Sequence, residues 1–334
     1  MPCRTKACIT TPITTITTSV LVPKQEQQAI LEKLASKCHS AATLASARFP
    51  IGPSTAPPPA TITNNNNSIT KSTTPFKPTR KYAALAIDCE MVGIDPQNTS
   101  HLGQVVAVDI LTGKTVLDIC VQPPVTVRNW RNNKSGLSPA IFREYKKRGK
   151  LVAGVTSAQN ALYNLIDTET ILVGHALEND IRALGIVHGR LVDTQILMRE
   201  LVADKAGFEP CRSWGLKMLA LHILGRDIQD NRGKGGGGGQ HNCMEDTIAT
   251  RDLALAVVRD QKVNPLGMTV GEWADSEVQC AENFPARVWE SFHPGTSGGD
   301  WSVGVVDAQV EKAWDGYNFQ DMWQGDGGDV SSWL

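Results

Sequence analysis

The strongest constraint on the fold lies just after Lys81, where polar sequence gives way to Tyr82–Ile87, an apolar run of strand length that closes on Asp88-Cys89-Glu90. Such a run predicts a buried central strand. Two acids two residues apart at its end project from one face of the sheet edge. An Asp-x-Glu pattern by itself is common in solvated turns. Position sets this one apart, because chemistry in α/β sheets collects beyond the carboxyl ends of central strands.

The run is followed by Gln104–Ile110 and Thr115–Val121 around Thr112-Gly113, a hairpin signal that gives two antiparallel strands and so a mixed sheet. Helical spacing then predicts helices over Ser138–Lys147 and Thr156–Ile166, a strand over Thr170–Val173, a helix over Glu178–Leu184 and a strand over Arg190–Val192. Two further helices, Ser213–Leu224 and Met244–Val258, stand on either side of the glycine run Gly235–Gly239, a flexible loop. This order of elements predicts a three-layer α/β domain over residues 81–260, with helices flanking a mixed central sheet.

The flanks differ in texture. Residues 1–80 are rich in Thr, Ser, Pro and Asn, include Pro57-Pro58-Pro59 and Asn64–Asn67, and offer little apolar surface to bury, so most of this arm is read as disordered. The exception is Gln25–Arg48, where Ile30, Leu31, Leu34 and Ala35 recur at helical spacing and predict one amphipathic helix, docked or mobile. Residues 261–334 carry Trp273, Trp289, Trp301, Trp314, Trp323 and Trp333 among glycines and acids, which suits a docking peptide for a protein partner better than a second core.

Composition narrows the classes. A hydrophobic fraction of 41% over 334 residues suffices for a substantial core. The formal net charge of −1 excludes a uniformly basic nucleic-acid binder, so attraction to phosphate must come from a local patch. One exists between Arg128 and Lys150: Arg128, Arg131, Lys134, Arg143, Lys146, Lys147, Arg148 and Lys150 stand against the single acid Glu144. These could contact successive phosphates, and Trp130 could stack on a base. The eight cysteines lack the paired spacing of zinc ribbons and are read as free thiols of a reducing compartment. With no apolar run of about 18 residues, no membrane span is expected. The Thr-rich start with Arg4 and Lys6, before the first acid at Glu26, is shared with some mitochondrial transit peptides.

Two further segments supply chemistry. Gly174-His175-Ala176-Leu177-Glu178-Asn179-Asp180 follows a strand and opens a helix, which places Asp180 about one turn in; helix-dipole stabilisation would favour acids there equally well. His241-Asn242-Cys243-Met244-Glu245-Asp246 precedes an apolar helix. On an ideal helix His241 and Asp246 would stand roughly 140° apart, so a shared site requires His241 to lie on the loop ahead of it. Together Asp88, Glu90, Asp180 and Asp246 are hard oxygen ligands whose repulsion two Mg²⁺ or Mn²⁺ ions would relieve. Such a pair suits phosphodiester hydrolysis, with His241 taking the proton from the attacking water.

In order and spacing, Asp88-Cys89-Glu90-Met91-Val92-Gly93, Gly174-His175 through Asn179-Asp180, and His241 with Asp246 resemble the three exonuclease motifs of the DEDDh superfamily. The Cys-Glu-Met-Val-Gly wording and the stretch Val127-Arg128-Asn129-Trp130-Arg131-Asn132-Asn133-Lys134-Ser135-Gly136-Leu137 resemble its eukaryotic RNA exonuclease (Rex) group, most closely the RNA exonuclease 4 members, over about residues 81–258. The resemblance implies an RNase H-like fold, two divalent ions, 3′-to-5′ removal of nucleoside monophosphates from single-stranded RNA ends, and often a nuclear or nucleolar role in ribosomal RNA maturation. By the same resemblance Met91, His175, Asn179 and Ser135 join Arg128, Trp130, Arg131 and Lys134 on the substrate side, and Asp193 is a supporting acid. Two departures stand out: Trp130 where the family has a tyrosine, and Asn242-Cys243 where it has Ser-Ser. The residues leave open a DNA exonuclease, a silent nucleic-acid-binding scaffold, and a cytoplasmic or mitochondrial location.

Overall fold

A computed structural model describes residues 21–50, 72–73, 81–208, 210, 213–229, 240–259 and 269–282. In chain order these form α1 (Lys24–Ser36), α2 (Ala41–Ser46), β1 (Ser72–Thr73), β2 (Ala84–Ile94), β3 (Thr99–Asp109), β4 (Thr115–Gln122) and β5 (Val127–Asn129). There follow α3 (Asn132–Ser135), α4 (Pro139–Lys147), β6 (Leu151–Ala153), α5 (Gly154–Tyr163), β7 (Ile171–Gly174), α6 (Glu178–Leu184), β8 (Ile186–Val187) and β9 (Leu191–Asp193). The chain continues through α7 (Thr194–Ala206), α8 (Leu216–Leu219), α9 (Cys243–Arg259) and α10 (Val270–Glu282). The glycine run, the arm before residue 21 and the sequence after residue 282 lie outside the described residues.

The main sheet has the order β6-β4-β3-β2-β7-β9, with β5 paired to the far end of β2. β3 runs antiparallel to β2 and β4, while β2, β7 and β9 are mutually parallel, as are β4 and β6. This is the expected mixed sheet, and the order β4-β3-β2-β7-β9 with β3 reversed is RNase H-like. The hairpin expected at Thr112-Gly113 forms there: Gly113 adopts φ 69°, and Asp109 Oδ2 accepts from the Thr112 N–H and hydroxyl. Strand alternation assigns the two faces. Leu85, Ile87 and Cys89 pack with Ala158, Leu162, Leu177 and Ile181 of the α5 and α6 side. Ala84 and Ala86 pack with Ala254, Leu255 and Val258 of α9 and with Ile30 and Leu34 of α1.

Three features depart from the expectations. Gln25–Arg48 is not one helix, because His39 pairs with the sheet edge between α1 and α2: its N–H donates to Leu191 O (2.9 Å) and its Nε2 accepts from the Asp193 N–H (3.0 Å). Ser40 then restarts the chain as the cap of α2, accepting from the Thr43 N–H. Both helices are docked, with Val22, Ile30, Leu34, Leu44 and Phe49 all buried. Second, α7 had no counterpart in the sequence reading, and Ser213–Leu224 holds the short α8 followed by a π-helical turn at Ala220–Leu224. Third, Trp273 is not a free aromatic of the tail: on α10 it is 4% exposed and meets Trp214 edge-on, with centroids 5.4 Å apart. Among the described residues no helix is long and apolar enough to cross a membrane, and Cys38, Cys89, Cys120 and Cys243 are free thiols.

Candidate active site

Asp88 and Glu90 do not terminate their strand as the sequence reading had it; they stand in the middle of the 11-residue β2. The strand is extended by β3, which stays paired with it as far as Ile94 and Thr99 across a bulge between Glu90 and Met91. On its other edge β2 is held by β7 through Ala84–Ala86 and by β5 at Gly93 and Ile94, which leaves the stretch between them unpaired on that side. The two acids therefore lie just past the end of the parallel ladder, where sheet edge becomes accessible to α6 and α9. Following Ala84 and Ala86 in the alternation, they face the α9 side.

α9 begins at Cys243 because Asn242 caps it, its Oδ1 accepting from the Met244 and Glu245 N–H groups. This leaves His241 on the loop ahead, the position a shared site requires, with Nδ1 3.2 Å from Asp246 Oδ2. His241 is 46% exposed at the side chain and Asp246 3%. Single ligand atoms of Glu90, His241 and Asp246 lie within 4.8 Å of one another. The Cys243 thiol donates to the Asp88 carbonyl at 3.2 Å and ties the start of α9 to β2.

Crowded carboxylates resist ionisation. Burial, and then the neighbouring Asp246, hold Asp88 well above the usual range. Burial followed by Asp88 and Asp246 pushes Glu90 up to about 10. Asp180, buried in the first turn of α6, is raised by burial and then by Asp88, Glu90, Asp193 and Glu178, which electrically joins it to the same cluster. Asp246 Oδ1 is buried with no hydrogen-bond partner, an orphan that a bound cation would satisfy. Hard oxygen donors, mutual repulsion and an unsatisfied carboxylate oxygen fit a hard divalent cation.

Asp193 has a different task. Its carboxylate accepts from the N–H groups of Ala176, Leu177, Gln195 and Ile196, so it fixes the turn that carries Asp180 and caps α7. Burial raises it, while these N–H groups oppose the shift.

The proposed substrate residues divide. Arg128 and Arg131 are on the surface beside the start of β3, Arg128 donating to Pro96 O (2.7 Å) and Arg131 to Ser100 Oγ (3.1 Å). The Lys134 carbonyl accepts from the His241 N–H at 2.7 Å, so the basic loop directly supports the histidine loop. Asn179 is exposed at the start of α6, and Met91 is half-buried beside the β2 bulge. His175 is engaged through Nδ1 with Thr194 Oγ1 (2.9 Å), its Nε2 is buried without a partner, and burial lowers it to about 4, so it sits there neutral. Ser135 is buried, and its hydroxyl donates to Trp130 O and accepts from the Leu137 N–H, holding the loop's own turn. Trp130 is half-buried against Phe142, edge-on at 4.8 Å, which commits part of its ring to the core.

Sequence reasoning missed Gln229. It is buried in the segment after the π-helical turn, and its Nε2 donates to Asp246 Oδ2 (3.0 Å) while lying 3.3 Å from His241 Nδ1. No local pattern marks a glutamine twelve residues ahead of the histidine.

Fold and site resemble one class: the strand order is like that of RNase H-like domains, and the acids and histidine keep the Asp-x-Glu, Asp and His-x4-Asp order of the DEDDh exonucleases. Relatives make the likeness particular. The chain is 34% identical over 181 residues to RNA exonuclease 3 of Candida albicans, covering 54% of this chain and 39% of that protein. It is also 34% identical over 184 residues to RNA exonuclease 4 of Mycosarcoma maydis, covering 53% and 42%. The chain thus spans about two fifths of the length of these relatives. The Pan2 pseudoubiquitin hydrolase–RNA exonuclease module of Saccharomyces cerevisiae in complex with AAGGA RNA aligns with a TM-score of 0.46 and 18% identity, over 74% of this chain and 39% of that one. No family model matches. The resemblance to the Rex group read from the motifs is matched by these relatives over about half of this chain.

Proposed function

We propose that this protein is a metal-dependent 3′-to-5′ exoribonuclease that releases nucleoside monophosphates from single-stranded RNA ends. The observation that carries this reading is the gathering of Glu90, His241 and Asp246 within 4.8 Å, beside Asp88 and electrically coupled to Asp180. RNA rather than DNA is favoured by the relatives, which include RNA exonucleases 3 and 4 and, in Arabidopsis thaliana, small RNA degrading nuclease 3.

Asp88, Glu90, Asp180 and Asp246 would hold two Mg²⁺ or Mn²⁺ ions, which when bound supply charge neutralisation and make water acidic enough to attack at neutral pH. The chain's own groups do the rest. His241 Nδ1 is engaged by Asp246, so Nε2 is the nitrogen that takes the proton from the attacking water. Water oxygen bonds to phosphorus as the bond to the 3′ oxygen breaks, and that oxygen takes a proton from solvent to become the new 3′ hydroxyl, while His241 later returns its own proton to solvent. Arg128, Arg131 and Lys134 steer the phosphates toward this point, since the Lys134 carbonyl also holds the His241 N–H.

The test is degradation of 5′-labelled single-stranded RNA with Mg²⁺ or Mn²⁺ by the wild type, by Asp88→Ala and with EDTA added, alongside matched DNA. The expected result is a ladder shortening from the 3′ end on RNA, lost in both controls. Faster loss of DNA would transfer the reading to a deoxyribonuclease, and binding without cleavage to a scaffold.

A further inference from the structure

Gln229 is held in place more firmly than a loop glutamine ordinarily is. Its backbone is left-handed, φ 56°, a conformation that costs a non-glycine residue energy and persists where surroundings impose it. Both of its peptide groups are engaged: the N–H donates to Glu245 Oε2 (2.9 Å), and the carbonyl accepts from Lys217 Nζ (3.2 Å). The side chain that this clamp presents is buried, and its amide donates to Asp246 Oδ2 while lying beside His241 Nδ1. The other Asp246 oxygen, Oδ1, is the buried one without a partner.

We propose that Gln229 is a positioning residue for the nuclease site: its amide pins Asp246 Oδ2, so that Oδ1 is left aimed for a divalent cation and the carboxylate is fixed beside His241. This rests on the hydrolytic reading above. The physical logic is that of an outer partner to a metal ligand: a carboxylate with one oxygen hydrogen-bonded has one rotational setting, and binding a cation then costs it less ordering. A glutamine suits the task because the amide N–H is a neutral donor. A Lys or Arg here would place a positive charge where cations must enter.

The experiment titrates Mn²⁺ calorimetrically into the full-length protein and measures RNA hydrolysis, for the wild type, Gln229→Asn and Gln229→Met. Asn adopts the left-handed backbone readily, so that variant keeps the fold while its amide, about 1.5 Å shorter, cannot span the contact. Met keeps the bulk and removes the donor. Thermal melting monitors folding.

Expected for both variants is a loss of about 10- to 100-fold in Mn²⁺ affinity or in turnover at saturating RNA. KM for RNA should stay within about twofold, because an interaction felt at the reacting centre falls on kcat. Folded Gln229→Asn that binds Mn²⁺ and turns over like the wild type would overturn the proposal, as would an effect confined to KM. If the wild type takes up Mn²⁺ but leaves RNA intact, the hydrolytic reading fails, and the Mn²⁺ affinities of the variants still decide the role of Gln229. A wild type that takes up no Mn²⁺ overturns both.

Discussion

Protons crowd the carboxylate cluster, and the proposed cations would have to displace them. Asp88, Glu90 and Asp180 are all held above the usual carboxylate range, Glu90 at about 10 against an ordinary value of 4.5, chiefly by burial and secondarily by one another. As closely coupled groups they titrate as a unit. The folded cluster thus keeps protons that the unfolded chain has already released, so its own contribution to metal-free stability is greatest below about 4.5 and declines as pH rises toward about 10, while the buried His175 and His188, lowered to about 4, oppose that decline below about 6.5. A melting series in EDTA should show Tm falling between about pH 7 and about pH 9, above the range in which the histidines titrate, and Mg²⁺ or Mn²⁺ should remove most of that slope by taking the protons' place. A slope unaffected by added metal would contradict the picture. The acids themselves were legible in the sequence through their order, whereas Gln229 was not: its contact with Asp246 is made by the fold, without a local signature.

At the scale of elements, α10 shows how a segment can be misassigned by its surroundings. Its tryptophan sits among acids and glycines, and the composition of the following chain suggested a tail. Yet Val270, Trp273 and Ala274 recur at helical spacing and are all buried in one cluster with Trp214, Leu253 and Ala256. Trp214 anchors the contact further by donating from Nε1 to Glu277 (3.0 Å). Trp273→Ala should cost about 3–5 kcal/mol in urea unfolding, the range for truncating a buried aromatic. A loss below about 1 kcal/mol would mean that α10 is not part of the cooperative unit.

For the whole molecule, the question is where the folding unit begins. A boundary at residue 81 follows the change in composition, but residues before it close one face of the sheet: Ile30 and Leu34 cover Ala84, Ala86 and Val173, and Leu44 and Phe49 join the opposite core. His39 also supports the backbone of Asp193, which in turn fixes the turn leading to Asp180. Each fully buried apolar side chain contributes about 1.5–3 kcal/mol, against a total stability of about 5–15 kcal/mol. A chain beginning at Lys81 should therefore melt well below one beginning at residue 21, or fail to unfold cooperatively by circular dichroism. Matching melting curves would show that the two helices are accessory.

Legible along the chain was whatever depends on near neighbours: the hairpin at Thr112-Gly113, the apolar stretch that begins the strand carrying Asp88, the helix over Glu178–Leu184, and the need for His241 to precede its helix. The order of the acids likewise marked out the candidate site. Tertiary structure decided what depends on distant partners. β2 runs on past its acids because β3 supplies hydrogen bonds there, and Ser135 is a turn residue because its hydroxyl meets its own loop. Helices α1, α2 and α10 belong to the packed body because the sheet and α7 leave apolar faces for them to cover. Glu90, Asp246, His241 and Gln229 meet because the crossing of β2 by α9 brings distant segments together, a geometry that no local pattern of residues encodes.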